Sequence, residues 1–381
     1  MKKNISYMLS LLVSAVLIII PLSLAIIAVL TQEYKVWGIA AIIAIGIAVI
    51  LSKPVSNWRT SIRQEVQNDE FGNSKKIKFE KLSQKQRDEI NLQKIADMER
   101  IIGSQALKRL THPGSENPEE DLEKLIGLKE LKQQVREMAA KMEFDRQENK
   151  GKKKSQIKSE ASHHAVYFGS PGTGKTTMAR IMTGFLYKYG YIKENKCVEV
   201  DGNFLKAGAD TTTKTTYVIQ KSFGGVLFID EAYALAQGDM YGYEAIATLI
   251  KQMEDNRDRF ILILAGYTNE MKELLETNPG FKSRIKDYLL FADYNDDEML
   301  QIFKSMAHAK GYVVNSSAET QFEKRLANEK PLNSFGNART ARSILDEALE
   351  KHAYNFITEK WSEDLRHTIT GSDINEFPRV L

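Results

Sequence analysis

The first chemistry visible in this chain belongs to a glycine-rich run that ends in a lysine and two threonines. Residues 166–184 read VYFGSPGTGKTTMARIMTG, in which Gly169, Gly174, Lys175 and Thr176 meet the pattern G-x-x-x-x-G-K-[ST]. Glycines let the backbone turn tightly and present its N–H groups, and the lysine adds a positive charge. This pattern predicts a cradle for nucleotide phosphates, with the hydroxyl of Thr176 available to a Mg²⁺ ion.

The segments on either side of this run supply the elements that such a cradle needs. Ala165–Phe168 is apolar and predicts a buried strand, and the apolar spacing of Thr177–Tyr187 predicts a helix. The dipole at the N-terminus of that helix favours a phosphate. The predicted nucleotide contacts in the loop are Pro171, Gly172, Thr173, Gly174, Lys175, Thr176 and Thr177.

An acidic pair follows the next apolar run, GGVLFIDEAYAL. Val226–Ile229 predicts a buried parallel strand that ends in Asp230 and Glu231. The carboxyl ends of such strands are where α/β sheets place their ligands. We expect Asp230 to hold Mg²⁺ and Glu231 to activate the attacking water as a general base.

A third apolar strand, Phe260–Ala265, ends in the polar sequence Gly266-Tyr-Thr-Asn269. A polar side chain at this strand end would lie near the terminal phosphate. Both Tyr267 and Asn269 fit that role, and the sequence alone does not choose between them.

These residues together resemble the AAA+ ATPases, and within them the CbxX/CfxQ (stage V sporulation K-like) group. Besides the two motifs above, the resemblance rests on LEKLIGLKELK, ILAGYTNEM, NPGFKSRI and SFGNARTAR, in the family's order over about residues 120–380. It implies an ATP hydrolase that uses ATP and Mg²⁺, forms a ring of identical subunits, expected to be a hexamer, and acts on a protein client.

The resemblance also assigns roles to residues outside the two motifs. Ile126 and Gly127 are similar to the segment that packs on adenine, and Arg284 to an arginine finger that reaches the neighbouring subunit's ATP. A cation supplied in this way would stabilise charge that develops on the γ-phosphoryl group. Arg339 resembles a second sensor at the base of a lid helix, with Arg342 one turn later as its rival.

One stretch departs from the family pattern. An aromatic-aliphatic-glycine element is expected after the second strand, where it would face a central pore, but this chain has Lys206-Ala-Gly208 there. Phe204 is the alternative aromatic. ATP hydrolysis is therefore better supported than the threading of a polypeptide, and a nucleotide-gated scaffold or switch in a membrane machine is the alternative function.

The N-terminus is strongly apolar. Residues 5–30 and 36–51 contain no charge, and about 20 apolar residues suffice to cross a bilayer. We expect a transmembrane helical hairpin rather than a cleaved signal peptide, because the first run exceeds the usual apolar core of a signal. The positive-inside rule then places both termini and the ATPase domain in the cytoplasm, through Lys2, Lys3, Lys53, Arg59 and Arg63.

The expected architecture is α/β: a parallel sheet of the P-loop NTPase type with helices on both faces, then a helical lid. The predicted domains are the hairpin (1–55), a polar neck and helical linker (56–118), the nucleotide-binding domain (119–294) and the lid (295–381). The cluster Thr111–Pro118 marks the second boundary, and Asn295 or Asp296 should cap the first lid helix. A net charge of +3 argues against nucleic acid as the partner. The single cysteine, Cys197, excludes an intramolecular disulfide.

Overall fold

The computed structural model describes residues 109–150, 163–206, 211–237, 240–332, 335–359 and 361–378. The predicted hairpin and the linker before residue 109 lie outside these residues. None of the helices in the described part of the chain combines the length and the apolarity that crossing a bilayer requires.

A six-stranded sheet organises the first part of the described chain. Its spatial order is β1-β3-β4-β5-β2-β6. The strands are β1 (Thr111–Pro113), β2 (Ala165–Gly169), β3 (Lys196–Asp201), β4 (Val226–Asp230), β5 (Ile261–Gly266) and β6 (Asp287–Phe291). The apolar runs at β2, β4 and β5 were predicted as buried strands, and these predictions are confirmed.

The prediction of an all-parallel sheet is wrong at one edge. Neighbouring strands from β3 to β6 run parallel, but β1 pairs antiparallel with β3, with Thr111 opposite Val198 and Pro113 opposite Lys196. Proline is tolerated there because an edge strand has no partner on its outer side. The sheet therefore begins at Thr111, inside the segment predicted as a domain boundary and before residue 119.

Helices cover both faces of this sheet. The chain provides α1 (Pro118–Lys124), α2 (Lys129–Glu148), α3 (Lys175–Lys188), α4 (Gly202–Lys206), α5 (Thr211–Ser222), α6 (Met240–Asp255), α7 (Thr268–Thr277) and α8 (Pro279–Lys282). Residues of α1 to α3 pack on one face, and residues of α4 to α8 on the other. Strand β4 shows why, since Val226 and Phe228 enter the first cluster while Leu227 and Ile229 enter the second.

Three further helices form the lid. They are α9 (Asp296–Ala309), α10 (Ser316–Glu329) and α11 (Ala338–Thr358), joined by the short parallel pair β7 (Val313–Val314) and β8 (Thr368–Ile369). The predicted cap of α9 is confirmed, because the Asn295 side chain accepts a hydrogen bond from the Glu298 N–H while Glu298 accepts one from the Asn295 N–H. Apolar lid residues such as Phe303 belong to the same buried cluster as Tyr167 of β2, so the lid and this face of the sheet share one core.

Candidate nucleotide-binding site

The predicted phosphate loop lies between the end of β2 and the start of α3. Its backbone depends on glycine, since Gly172 has φ +72° and Gly174, the N-cap of α3, has φ +95°. The buried Thr173 hydroxyl donates to the Ser170 carbonyl at 2.8 Å and braces the turn. A rigid loop of this kind holds its N–H groups ready for an anion at the N-terminus of a 14-residue helix.

Lys175 points back along the loop rather than out to solvent. Its ammonium donates to the carbonyls of Gly169 at 2.8 Å and Ser170 at 2.7 Å, and the residue is only 8% exposed. Burial lowers the pKa of Lys175, while the nearby carboxylate of Asp230 opposes that shift. A buried cation held only by neutral carbonyls fits the negative charge of a nucleotide's phosphates.

The acidic pair lies where strand β4 ends. The Glu231 N–H donates to the Asp230 carboxylate at 3.0 Å, and Glu231 has the left-handed backbone conformation with φ +48° and ψ +39°. Such a conformation costs a non-glycine residue roughly 1–2 kcal/mol and is common at functional sites. Burial, followed by the charges of Asp201 and Asp230, raises the pKa of Glu231. That shift suits a carboxylate that must take up a proton.

Sequence reasoning missed Asp201. It ends β3 directly opposite Asp230 in the parallel register, and after burial its charge does most to raise the pKa of Glu231. The available signal was the acidic end of the apolar-containing run Cys197–Asp201 (CVEVD), because parallel neighbours bring their carboxyl ends to the same edge. Asp201 also accepts a hydrogen bond from the Asn203 N–H at 2.7 Å.

Hydroxyl and carboxylate oxygens are the ligands that Mg²⁺ prefers, and the predicted pair Thr176 and Asp230 supplies one of each. Thr176 is in the first turn of α3, and Asp230 is close enough to the loop to act on the charge of Lys175. In the described part of the chain no three His, Cys, Asp or Glu side chains form a group that could hold a metal. A Mg²⁺ ion at these two residues would therefore depend on the phosphate oxygens of the nucleotide for further ligands.

The two candidate lid arginines differ in their electrostatic surroundings. Arg339 and Arg342 are both exposed on α11. The charge of Arg339 lowers the pKa of Lys175 and also that of Glu231, which places it in the field of the phosphate loop. The backbone nitrogen of Arg339 also lies against the phosphate loop, since a Cβ atom on Gly172 would come within 2.9 Å of it. The geometry therefore favours Arg339 over its rival as the residue that faces the site.

Tyr267 and Asn269 both line one small cavity beside the phosphate loop. The cavity has a volume of about 320 Å³ and is bounded by Ser170, Tyr267, Thr268, Asn269 and Glu270. The Tyr267 ring also lies 5.4 Å from the ring of Tyr233. The structure therefore brings both candidates to the same space beside Ser170 of the phosphate loop.

The predicted adenine segment, Ile126-Gly127, lies between α1 and α2. Gly127 has φ +65°, and a Cβ atom there would come within 2.4 Å of the Glu298 carboxylate at the start of the lid. Ile126 is half-buried against the core cluster that the lid shares with the sheet. The segment thus contacts the lid, as expected of residues that pack on adenine between the nucleotide-binding domain and the lid.

Arg284 follows α8 and is held by its own subunit. Its guanidinium lies 3.1 Å from the Glu254 carboxylate on α6 and donates to the Gly280 carbonyl at 3.0 Å. These contacts lie on α6 and α8 rather than on the phosphate loop. The structure therefore does not bring Arg284 together with Lys175 and Glu231 through contacts within one chain.

Comparison with known proteins shows which family the sequence of this chain resembles. The model of the "ATPase family associated with various cellular activities (AAA)" matches residues 165–291, and that of the "AAA lid domain" matches residues 295–379. The CbbX protein of Cereibacter sphaeroides is 38% identical over 252 residues, which cover 64% of this chain and 80% of the relative.

The chain belongs to the CbbX/CfxQ family of AAA+ ATPases.

Two further relatives of this AAA+ ATPase agree with the assignment. The CfxQ protein of Xanthobacter flavus is 40% identical, with 59% of this chain and 71% of the relative covered. A protein of Cyanidioschyzon merolae named ribulose bisphosphate carboxylase/oxygenase activase is 39% identical, with 61% and 81% covered. The fold of this AAA+ ATPase is accordingly that of a P-loop NTPase with a C-terminal helical lid, and its reaction is ATP hydrolysis.

Proposed function

We propose that this AAA+ ATPase binds and hydrolyses Mg²⁺-ATP at the subunit interfaces of a homohexameric ring. It would use the energy to remodel or move a protein partner from a membrane-anchored position. The observation that carries the nucleotide part is electrostatic. Asp230, Glu231 and Arg339 all act on the charge of the buried Lys175 at the start of α3. Three elements of the fold thus converge on the phosphate loop.

Each residue has a separate task in the proposed reaction. The loop N–H groups of residues 171–177 and Lys175 bind the phosphates, and Mg²⁺ at Thr176 and Asp230 would neutralise their charge. Glu231 accepts a proton from water as the water oxygen attacks the γ-phosphorus. The bond from that phosphorus to the β,γ-bridging oxygen breaks, its electron pair stays on ADP, and phosphate leaves.

Two substitutions separate binding from hydrolysis. Lys175→Ala should abolish ATP binding, because the buried cation is lost, whereas Glu231→Gln should keep ATP bound and lower turnover by on the order of 10²–10⁴-fold. Isothermal titration and phosphate release measure the two quantities. Glu273→Gln, on the exposed face of α7, is the control. Undiminished hydrolysis by both site variants would refute the proposed roles.

Ring formation is tested by mixing two inactive subunits. In the proposed ring Arg284 serves the ATP of a neighbour, so Arg284→Ala and Lys175→Ala damage different halves of the interface. A mixture of the two variants should regain part of the activity, because some interfaces combine an intact loop with an intact arginine. Failure of any mixture to exceed the sum of the separate activities would refute action in trans, and light scattering counts the subunits.

The proposed partner is a protein client. The C. merolae relative is named for an activity on ribulose bisphosphate carboxylase/oxygenase, which makes that enzyme one client to assay. Glu231→Gln, stalled with ATP, should retain a client in a pulldown, whereas Lys175→Ala should not. Equal recovery by the two variants would count against a nucleotide-gated client.

The proposed membrane anchor rests on residues 5–30 and 36–51, which lie outside the described residues. The proposal is supported by the length of these two uncharged apolar runs, and by the lysines and arginines that precede the first run and follow the second. The full chain should remain in the membrane fraction after carbonate washing, and a protease added to inverted vesicles should digest the ATPase domain. Release by carbonate would refute the anchor, and protection in inverted vesicles would refute the cytoplasmic orientation.

A switch without threading is the second candidate function, and Phe204 favours it. This aromatic packs against the core cluster under α4 and α5, and the ammonium of Lys214 lies 5.3 Å from its ring centre. A side chain engaged in this way is poorly placed to grip a polypeptide in a pore. If Phe204→Ala and Lys206→Ala both leave client processing intact while ATP turnover continues, threading is excluded and the switch is supported.

A further inference from the structure

Asn337 joins the lid to the phosphate loop at the residue just before helix α11. It is fully buried, with an exposed fraction of 0%. Its backbone has φ +49° and ψ −123°, a conformation that glycine adopts at the first central position of a type II′ turn. For a residue with a side chain this costs on the order of 1–3 kcal/mol, and it persists only where the surroundings enforce it.

Both the nitrogen and the oxygen of the Asn337 side-chain amide form hydrogen bonds. Its nitrogen donates to the Asp293 carboxylate at 2.9 Å and to the Pro171 carbonyl at 3.3 Å, and its oxygen accepts from the Tyr294 N–H at 3.0 Å. A reversed amide would place its oxygen against two acceptors, so this orientation is the one that satisfies all three partners. One side chain thus connects the phosphate loop, the segment Asp293–Tyr294 after β6 and the first turn of α11.

Further contacts close the same junction. The Ala338 N–H donates to the Gly172 carbonyl at 3.3 Å, and the Tyr294 hydroxyl donates to the Thr173 carbonyl at 3.2 Å. A Cβ atom on Gly172 would lie 2.1 Å from the Gly336 carbonyl oxygen and 2.9 Å from the Arg339 nitrogen. The backbone of the loop and that of the lid therefore touch within three residues of Arg339.

We propose that Asn337 is a positioning residue for ATP hydrolysis: its amide fixes the first turn of α11 on the phosphate loop and so aims Arg339 at the terminal phosphate. The inference rests on the proposed role of Arg339 as the lid residue that faces the nucleotide. Glycine would remove the backbone strain at position 337. It would also remove the amide and its three hydrogen bonds. The need for these bonds explains why a strained asparagine occupies a glycine-like conformation.

The consequence for the reaction is selective. ADP has no γ-phosphate, so a correctly aimed Arg339 should strengthen ATP binding more than ADP binding. Loss of the Asn337 amide should remove that preference, and it should lower kcat because small misplacements of a charged group cost on the order of tenfold or more. A residue that only stabilised the fold would not change the ratio of ATP to ADP affinity.

The first experiment compares Asn337→Gly with Asn337→Ala. Both lose the amide, but only alanine keeps the strain, so the alanine variant should be the less stable of the two. Both should show the same loss of kcat, about tenfold or more. Both should also show the same loss of ATP preference, and these affinities are measured in variants that carry Glu231→Gln as well, so that ATP is not consumed. Losses of kcat that follow the melting temperatures instead of the missing amide would overturn the proposal.

The second experiment adds Arg339→Ala. If Asn337 acts through Arg339, the double variant N337G/R339A should match R339A alone in its ATP-to-ADP affinity ratio. Additive losses would overturn the proposal. An R339A variant with unchanged ATP preference would instead refute the proposed role of Arg339 itself, so the two failures are distinguishable. Ser343→Ala, on the exposed face of α11, is the control.

Discussion

The guanidinium of Arg284 lies 3.1 Å from the carboxylate of Glu254 within a single protomer. Arg284 is 27% exposed and Glu254 is 48% exposed, and Glu254 also pairs with Arg257. If Arg284 serves a neighbouring subunit in the proposed ring, this internal pair must open first. Arg284 and Arg257 bind different oxygens of this one carboxylate, so its negative charge is shared between two cations.

Removing the internal partner should make the ring easier to activate. Glu254→Gln should lower the protein concentration at which ATP turnover per protomer reaches half its maximum, by up to roughly fivefold, since an exposed ion pair is only weakly stabilising. Arg257→Gln is the matched control, and it should move that midpoint upward because Glu254 is left to Arg284 alone. Equal shifts in the two variants would contradict this account of the pair.

The pH dependence of hydrolysis should report the surroundings of Glu231. A general base must be ionised, and burial with the charges of Asp201 and Asp230 raises the pKa of Glu231. Activity should therefore fall on the acidic side at a higher pH than an ordinary glutamate would give. Asp201→Asn removes one of the charges but keeps an oxygen for the Asn203 N–H, so it should move the acid limb of kcat/KM to lower pH.

The control for this prediction is Glu273→Gln, which removes an exposed carboxylate from α7. Its acid limb should coincide with that of the unmodified protein. An acid limb that stays in place in Asp201→Asn would show that Asp201 does not act on the base.

The contact between the phosphate loop and the lid predicts an unequal pair of glycine substitutions. Gly172→Ala meets backbone within 2.1 Å at a φ of +72°, whereas Gly190→Ala, at φ +83°, meets nothing within 4 Å. The second change should cost about 1 kcal/mol of unfolding free energy through backbone strain alone. The first should cost roughly 1–3 kcal/mol more through the clash. Urea denaturation measures both, and equal losses would contradict the described contact.

Acid should destabilise the fold through His164. This residue is 1% exposed, and its Nδ1 accepts a hydrogen bond from the Leu262 N–H at 2.8 Å, so burial followed by the charges of His163 and Arg284 lowers the pKa of His164 to about 3. In the unfolded chain a histidine takes up its proton near pH 6.5. The stability that the neutral ring provides is thus complete above pH 6.5 and is lost as the pH falls toward 3.

The expected loss is about 2 kcal/mol of unfolding free energy between pH 6.5 and pH 5. His164→Asn keeps an acceptor for the Leu262 N–H without a titrating ring, so its urea midpoint should depend less on pH over this range. His308→Asn, on the exposed face of α9, should behave like the unmodified protein. An unchanged slope in His164→Asn would assign the acid sensitivity to other groups.

The parts of the fold that follow from local sequence were predictable. The phosphate loop with its flanking strand and helix is a contiguous pattern, and the Asn295 cap needs only the next three residues. Strand β5 is apolar throughout and β4 is apolar up to its last residue, Asp230, as strands covered on both faces are. None of these predictions required knowledge of a distant partner.

The parts that failed or were missed depend on contacts between distant residues. Strand β1 has only three residues, one of which is a proline, and it is its pairing with β3 that makes it a strand. Asp201 gains its meaning from the register with Asp230, and Asn337 from bonds to residues 44 and 166 positions away. The favoured position of Arg339 over Arg342 likewise emerges only once α11 is seated on the loop.

The core shared by the lid and one face of the sheet limits how the lid can move. Swinging the lid open like a jaw would expose apolar side chains such as Phe303 and Tyr167 to water. Packed interfaces of this kind change by small sliding steps instead. In the proposed ring each lid would then shift slightly while it stays packed on the sheet, so that most displacement accumulates at the interfaces between subunits.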